Sequence, residues 1–173
     1  MSVDVLHQLH KGIVIDLINW VVELINRTPN PTRPRNLTER KRSTIPGATL
    51  LDDRFRSVPQ YTGLKHFKDF SHVRQWTGNQ QKAILRVFLP VITPLLLRSR
   101  PDALAYARAV ADFVTMAQYS TYDEETVRYM KHALSIIDMT KGVFHEQRVK
   151  DAQGDAHFNY PKFHVISHYP DFI

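Results

Sequence analysis

The chain has 173 residues and 43% apolar content, the size of one ordinary domain with enough apolar side chains to bury a core. A formal charge of +6 suits a polyanionic partner such as DNA or RNA. The absence of cysteine excludes disulfides, thiolate metal sites and cysteine nucleophiles, and accords with a reducing compartment.

Residues 1–10 carry two histidines and an acid where a secretory leader needs an apolar run. The greasiest stretches, "IVIDLINWVVELI" and "ILRVFLPVITPLLL", fall short of the roughly 20 residues of a bilayer span. Asp16, Asn19 and Glu23 interrupt the first, and Arg86 and two prolines the second. The expectation is an intracellular protein, nuclear or cytoplasmic, neither secreted nor in a membrane.

Leu6, Leu9, Ile13, Leu17, Trp20 and Leu24 recur at helical spacing and predict a first helix over about 4–25. A second stripe of Val14, Ile18, Val21 and Ile25 leaves only Asp16, Asn19 and Glu23 as a narrow polar strip, so this helix should be wrapped on most sides. Residues 26–49 have no period. Pro29, Pro31, Pro34, Pro46 and Gly47 mark them as a basic, proline-containing linker or insertion. Within it, Arg27, Arg33, Arg35, Arg40, Lys41 and Arg42 face the single acid Glu39, so residues 26–42 carry +5 of the net +6.

Residues 50–70 predict short helical turns punctuated by Pro59 and Gly63. Thr77 with Gln80 has the spacing of a capping box and opens a helix along Ile84, Phe88, Val91 and Leu95, which Pro90 and Pro94 should kink or end. Pro101 starts the next helix, with Tyr106, Val110, Phe113 and Ala117 on one face. The longest helix is expected over 122–149, with acids in its first turn and Val127, Met130, Leu134 and Ile137 as its stripe. A last helix should begin near Pro161 and still be running at Ile173. The sum is one all-α domain over 1–173, with about five to six helices and both ends cut.

Asp4, His7, His10 and Lys11 cluster at the start. Asp4 and His7 are i, i+3 neighbours, so Asp4 is either an N-terminal cap followed by solvated histidines or a metal-binding carboxylate with orienting helpers. His164 and His168, at i, i+4, could share one metal or simply pack with one ring inward. With Asp4 and His7 they would make a metal-dependent hydrolase. Asp52 and Asp53 with Arg54 and Arg56 read as a surface ion-pair network, since adjacent acids point in different directions. Tyr106, Phe113, Tyr119 and Tyr122 share helix faces with aliphatic residues and read as core rather than as platforms for nucleic-acid bases.

The blocks "DVLHQLHKG", "LDDRFRSVP", "GLKHFKDFSHVRQWTGNQQKAILRVFLPVI" and "HFNYPKFHVISHY", in this order, resemble the carboxy-terminal half of fungal Plavaka-type transposases, relatives of the KDZ and CACTA groups. The resemblance covers most of the chain outside the basic linker. It implies an RNase H-like domain whose three acids bind two Mg2+ or Mn2+ ions, with a helical insertion between the second and third acids. Asp4 would be the second acid and a metal ligand, with His7 beside it. The first acid would lie before Met1 and the third beyond Ile173, so the resemblance implies a chain without its catalytic sheet and without catalysis of its own. The basic stretch lies outside the resemblance: through Arg33, Arg35, Arg40, Lys41 and Arg42 it either binds DNA or RNA by counterion release or is only solvated, and a core cut at both ends would favour self-association through uncovered apolar faces. The alternative is a stand-alone basic helical module that binds nucleic acid or a transposase partner.

Overall fold

The computed structural model describes residues 12–27, 47–68, 70, 73, 77–146, 166–171 and 173. Among them there is no strand, and the fold is all-α, as the periodicity requires. Helices α1 (Ile15–Arg27), α2 (Gly47–Arg56), α3 (Gly78–Leu96), α4 (Pro101–Met116) and α5 (Glu124–Thr140) are followed by a single turn, α6 (Gly142–Glu146), and by a 3-10 turn at Tyr169–Asp171. None of these helices is long and apolar enough to cross a membrane.

The two apolar stripes of α1 bury Leu17, Ile18, Trp20, Val21, Leu24 and Ile25, and Ile13 and Val14 in the π turn before it are buried as well. Asn19 is exposed, so the helix is wrapped on most sides as its narrow polar strip demands. Residues 4–11 of the expected helix lie outside the described residues.

Helix α2 is more than the short turns expected and begins at Gly47, within the stretch read as linker. Its Leu51 and Phe55 are fully buried. Phe55 stacks on Phe70 at 4.5 Å and meets Phe67 edge-on at 6.1 Å, which draws the irregular segment after α2 onto the core. Gly63 takes a φ of +82°, a left-handed turn that a side chain would strain.

The capping box at α3 is formed in both directions: Gln80 N–H donates to Thr77 Oγ1 at 3.3 Å and Thr77 N–H to Gln80 Oε1 at 2.9 Å. Pro90 and Pro94 do not end the helix. Both are exposed, so the carbonyls they orphan can turn to water, while Ile84, Val87, Phe88, Val91, Ile92 and Leu95 hold the opposite face in the core. Thr93 adds a hydroxyl bond to Leu89 O at 2.7 Å on the same stretch.

Helix α4 opens at Pro101, with Asp102 accepting the Ala103 N–H at 3.0 Å, and buries eight side chains. It touches α1, α3, α5 and α6, and its pairing with α5 is the most extensive in the fold. Met130, Ala133 and Ile137 of α5 are buried against this body, while Val127 and Leu134 are half-buried. The expected helix over 122–149 divides, because Lys141 closes α5 and Gly142, a poor helix former, starts α6 on a new course. Among the described residues α3, not α5, is therefore the longest helix. The last helix does not run to the end either: among the described residues 166–167 are helical before a turn at His168 and the 3-10 turn, where Pro170 withholds an N–H from any α-helical ladder.

Trp20, Tyr106 and Phe144, all fully buried, join α1, α4 and α6 with ring centroids 5.1 to 6.2 Å apart. Replacing Trp20 by alanine removes the largest of them, and a loss of about 3–5 kcal/mol in chemical denaturation is expected. Thr77→Ala, which removes only a cap, should cost about 1 kcal/mol in the same measurement.

Candidate functional site

The residues singled out in the sequence divide sharply. Asp4, His7, His10, Lys11, Arg33, Arg35, Arg40, Lys41, Arg42 and His164 lie outside the described residues. His168 is exposed and lies at the turn that follows helical residues 166–167, and its expected pairing with His164 falls outside the described residues. Among the described residues no group of three His, Asp or Glu side chains is placed to hold a metal ion.

The Asp52–Arg56 cluster behaves in part as expected. Asp53 is exposed and pairs with Arg56 at 3.0 Å, one turn away. Asp52, by contrast, is only 5% exposed, pointing inward from the same helix, so the cluster is not wholly a surface network. The change of direction between neighbours follows from the 100° turn per residue, which puts Asp52 on the face of Leu51 and Phe55.

The expectation for the tyrosines also divides. Tyr106 and Phe113 are buried and Tyr122 is half-buried, but Tyr119 is 51% exposed, and Tyr129 on α5 is 50% exposed. Tyr119 lies beyond the end of α4, where helical periodicity no longer assigns it to the core. It is set by turns that continue past the helix: Gln118 N–H donates to Thr115 O at 3.2 Å and Tyr119 N–H to Met116 O at 3.0 Å. Tyr129 falls one residue off the buried Met130 and is rotated out by the same 100°. The Arg128 guanidinium lies 5.0 Å from its ring centroid and also bonds Glu125 at 3.2 Å.

These two rings border a groove of about 500 Å³ between α4 and α5. Ala105, Ala109 and Ala133 form its low floor, Met116 and Ile136 its apolar wall, and Arg108, Asp112, Thr115 and His132 its polar edge. Arg108 and Asp112 face each other at 3.7 Å, both well exposed, so this pair contributes little to stability. A second groove of about 290 Å³ shares Thr115 and Tyr119 with the first and continues to Lys82, Leu85, Arg86 and Gln118, reaching α3. Neither Lys82 nor Arg86 is ion-paired among the described residues. No sequence period marks this arrangement, since its members come from three helices and from the turn after α4. The signal that could have found it is that Tyr119 and Tyr129 fall off the buried stripes.

The end of α4 that carries Tyr119 is closed by side chains. Thr115 Oγ1 donates to Ala111 O at 2.7 Å, Gln118 Nε2 to Val114 O at 2.8 Å, and Tyr122 Oη to Ala117 O at 2.9 Å. Tyr169, from the 3-10 turn, brings its hydroxyl within 3.4 Å of both Tyr122 Oη and Ala117 O and packs edge-on against Phe113 at 6.1 Å. Lys131 holds the same turn through Asp171 at 3.1 Å. At the start of α5, Asp123 caps the helix, accepting from the Thr126 hydroxyl at 2.6 Å and from its N–H at 2.7 Å, which holds the Asp123 carboxyl below its ordinary value.

No family model, curated protein or solved structure matches this chain.

Burial, and then the bond to Tyr122, push the Tyr169 hydroxyl up to about 12. A raised value means that the folded state holds this proton more tightly than the unfolded chain. The stabilisation is therefore complete below the unfolded value near 10 and is lost as pH rises toward 12. Thermal melts of the protein and of Tyr169→Phe should differ most below pH 10, with the gap closing above it, because phenylalanine has no proton to lose.

Proposed function

We propose that this chain is a fragment or decayed copy of a DNA transposase of the Plavaka type, its helical insertion, which binds DNA and carries out no strand chemistry on its own. The order of the four sequence blocks supports the family, and an all-α fold is what such an insertion would have. The observation that carries DNA binding is the concentration of charge: residues 26–42 hold +5 of the net +6. The segment joins α1, which ends at Arg27, to α2, which begins at Gly47, two helices packed on each other. The binding its cations support is of the counterion-release kind. The same localisation of charge also favours the second reading, a stand-alone helical module for nucleic acid or a transposase partner. Exposed Leu97 and Met139 are the apolar side chains on which self-association would rest.

The expected catalytic role of Asp4 and His7 with Mg2+ or Mn2+ requires acids that this sequence would not supply, so nuclease and strand-transfer assays of the 173-residue chain should be blank with either metal. DNA binding is tested by fluorescence anisotropy with a duplex across a salt series. The logarithm of the binding constant should fall linearly with the logarithm of salt. Neutralising Arg33, Arg35, Arg40 and Arg42 together should lower that slope by up to about 0.9 for each phosphate that is no longer neutralised. Affinity indifferent to salt and to those four substitutions would sink the proposal.

A further inference from the structure

We propose that the strip running from α3 across the end of α4 to α5 is a binding path for single-stranded DNA, with Tyr119 and Tyr129 as stacking platforms for its bases. The inference rests on the DNA-binding reading above and gives it a second surface, on helices other than the two that flank the basic segment.

Two adjoining grooves share Tyr119 and Thr115, so these two residues border both, and the linings together draw on three helices. Two half-exposed aromatic rings border the same groove, each with an apolar face open to a flat ligand and a hydroxyl suited to water. Lys82 and Arg86 on α3 lie along the strip, as does Arg108 on α4, while Arg128, against the Tyr129 ring just beside the lining, is paired with Glu125. Among the described residues that line the strip, the one carboxylate is Asp112, and it is already opposed by Arg108. Interleaved rings and cations are the arrangement that holds a flexible polyphosphate whose bases are unpaired, the phosphates meeting the cations and the bases the rings. A duplex has its bases stacked on one another and cannot use the rings. An apolar peptide would use the groove floor but would leave the cations of α3 without a partner.

The test is anisotropy with an oligothymidylate strand of about twenty nucleotides, the same length of duplex DNA, and the corresponding RNA strand. Tyr119→Ala and Tyr129→Ala should each weaken single-stranded DNA binding about tenfold, with duplex affinity and melting temperature unchanged, since both rings are largely exposed. Lys82→Ala with Arg86→Ala should reduce the single-strand salt slope by about 0.7 for each phosphate they neutralise, and leave the tyrosine effect in place. If duplex binds as tightly as the single strand and the tyrosine variants are silent, the strip is not a DNA path, although the basic segment can still bind. An RNA strand held more tightly than its DNA equivalent overturns the assignment to DNA. If neither form of DNA binds, the DNA reading of the whole chain fails and this inference with it.

Discussion

A helix touched on several sides at once must give up side-chain volume where its neighbours cross it. Helix α4 supplies Ala103, Ala107, Ala109 and Ala111, all buried, alongside the larger Tyr106, Val110, Phe113 and Val114. Interaxial distance depends on the side chains at the contact, so small residues there let α1, α3, α5 and α6 gather around one axis. Close packing has little tolerance for added methylenes, which makes this helix the element that sets the positions of the others. The same economy of volume produces the groove: Ala105 and Ala109 on α4 meet Ala133 on α5, and the space their side chains do not fill is open to solvent.

The main helices were legible because each repeats its buried side chains at helical spacing. Period 3.6 in α1, α3, α4 and α5 reports the buried face directly, and the Thr77–Gln80 pair announces its own cap. What went astray depended on tertiary context. Proline inside a helix reads as a stop, yet Pro90 and Pro94 share the solvent face, where the lost N–H groups cost least and the apolar face opposite can carry the helix through. Lys141 and Gly142 split one expected helix into two, and Phe144 of the second packs on Trp20 at 5.4 Å. Helix α2 is short and begins at a glycine after a proline, so nothing in its own composition competes with the loop signal; Leu51 and Phe55 make it a helix by being buried.

The groove was illegible for a different reason. Aromatic residues in a helical stretch are core by default, and Tyr106 and Phe113 are so. Tyr119 differs only in lying past the helix end, and Tyr129 only in a rotation of one position, and neither difference has meaning until α3, α4 and α5 are seen side by side. The cluster at Asp4 and the cations of 26–42 were conspicuous as sequence and lie outside the described residues, apart from Arg27 at the end of α1, so chemistry and geometry here fall on separate parts of the chain.

The aromatic junction of Trp20, Tyr106 and Phe144 spans most of the sequence, and synthesis from the amino terminus cannot close it early. Helix α1 leaves the ribosome apolar on most sides, while the α4 and α6 rings it needs are not yet made. At typical elongation rates of about 5–20 residues per second, that interval is on the order of ten seconds, far longer than collapse of a small chain takes. During it α1 is a ready client for chaperones or for another nascent copy, whereas α4 and α5, neighbours in sequence, can pair as soon as both are out. The order of birth along this chain thus brings an apolar helix out before the rings that cover it.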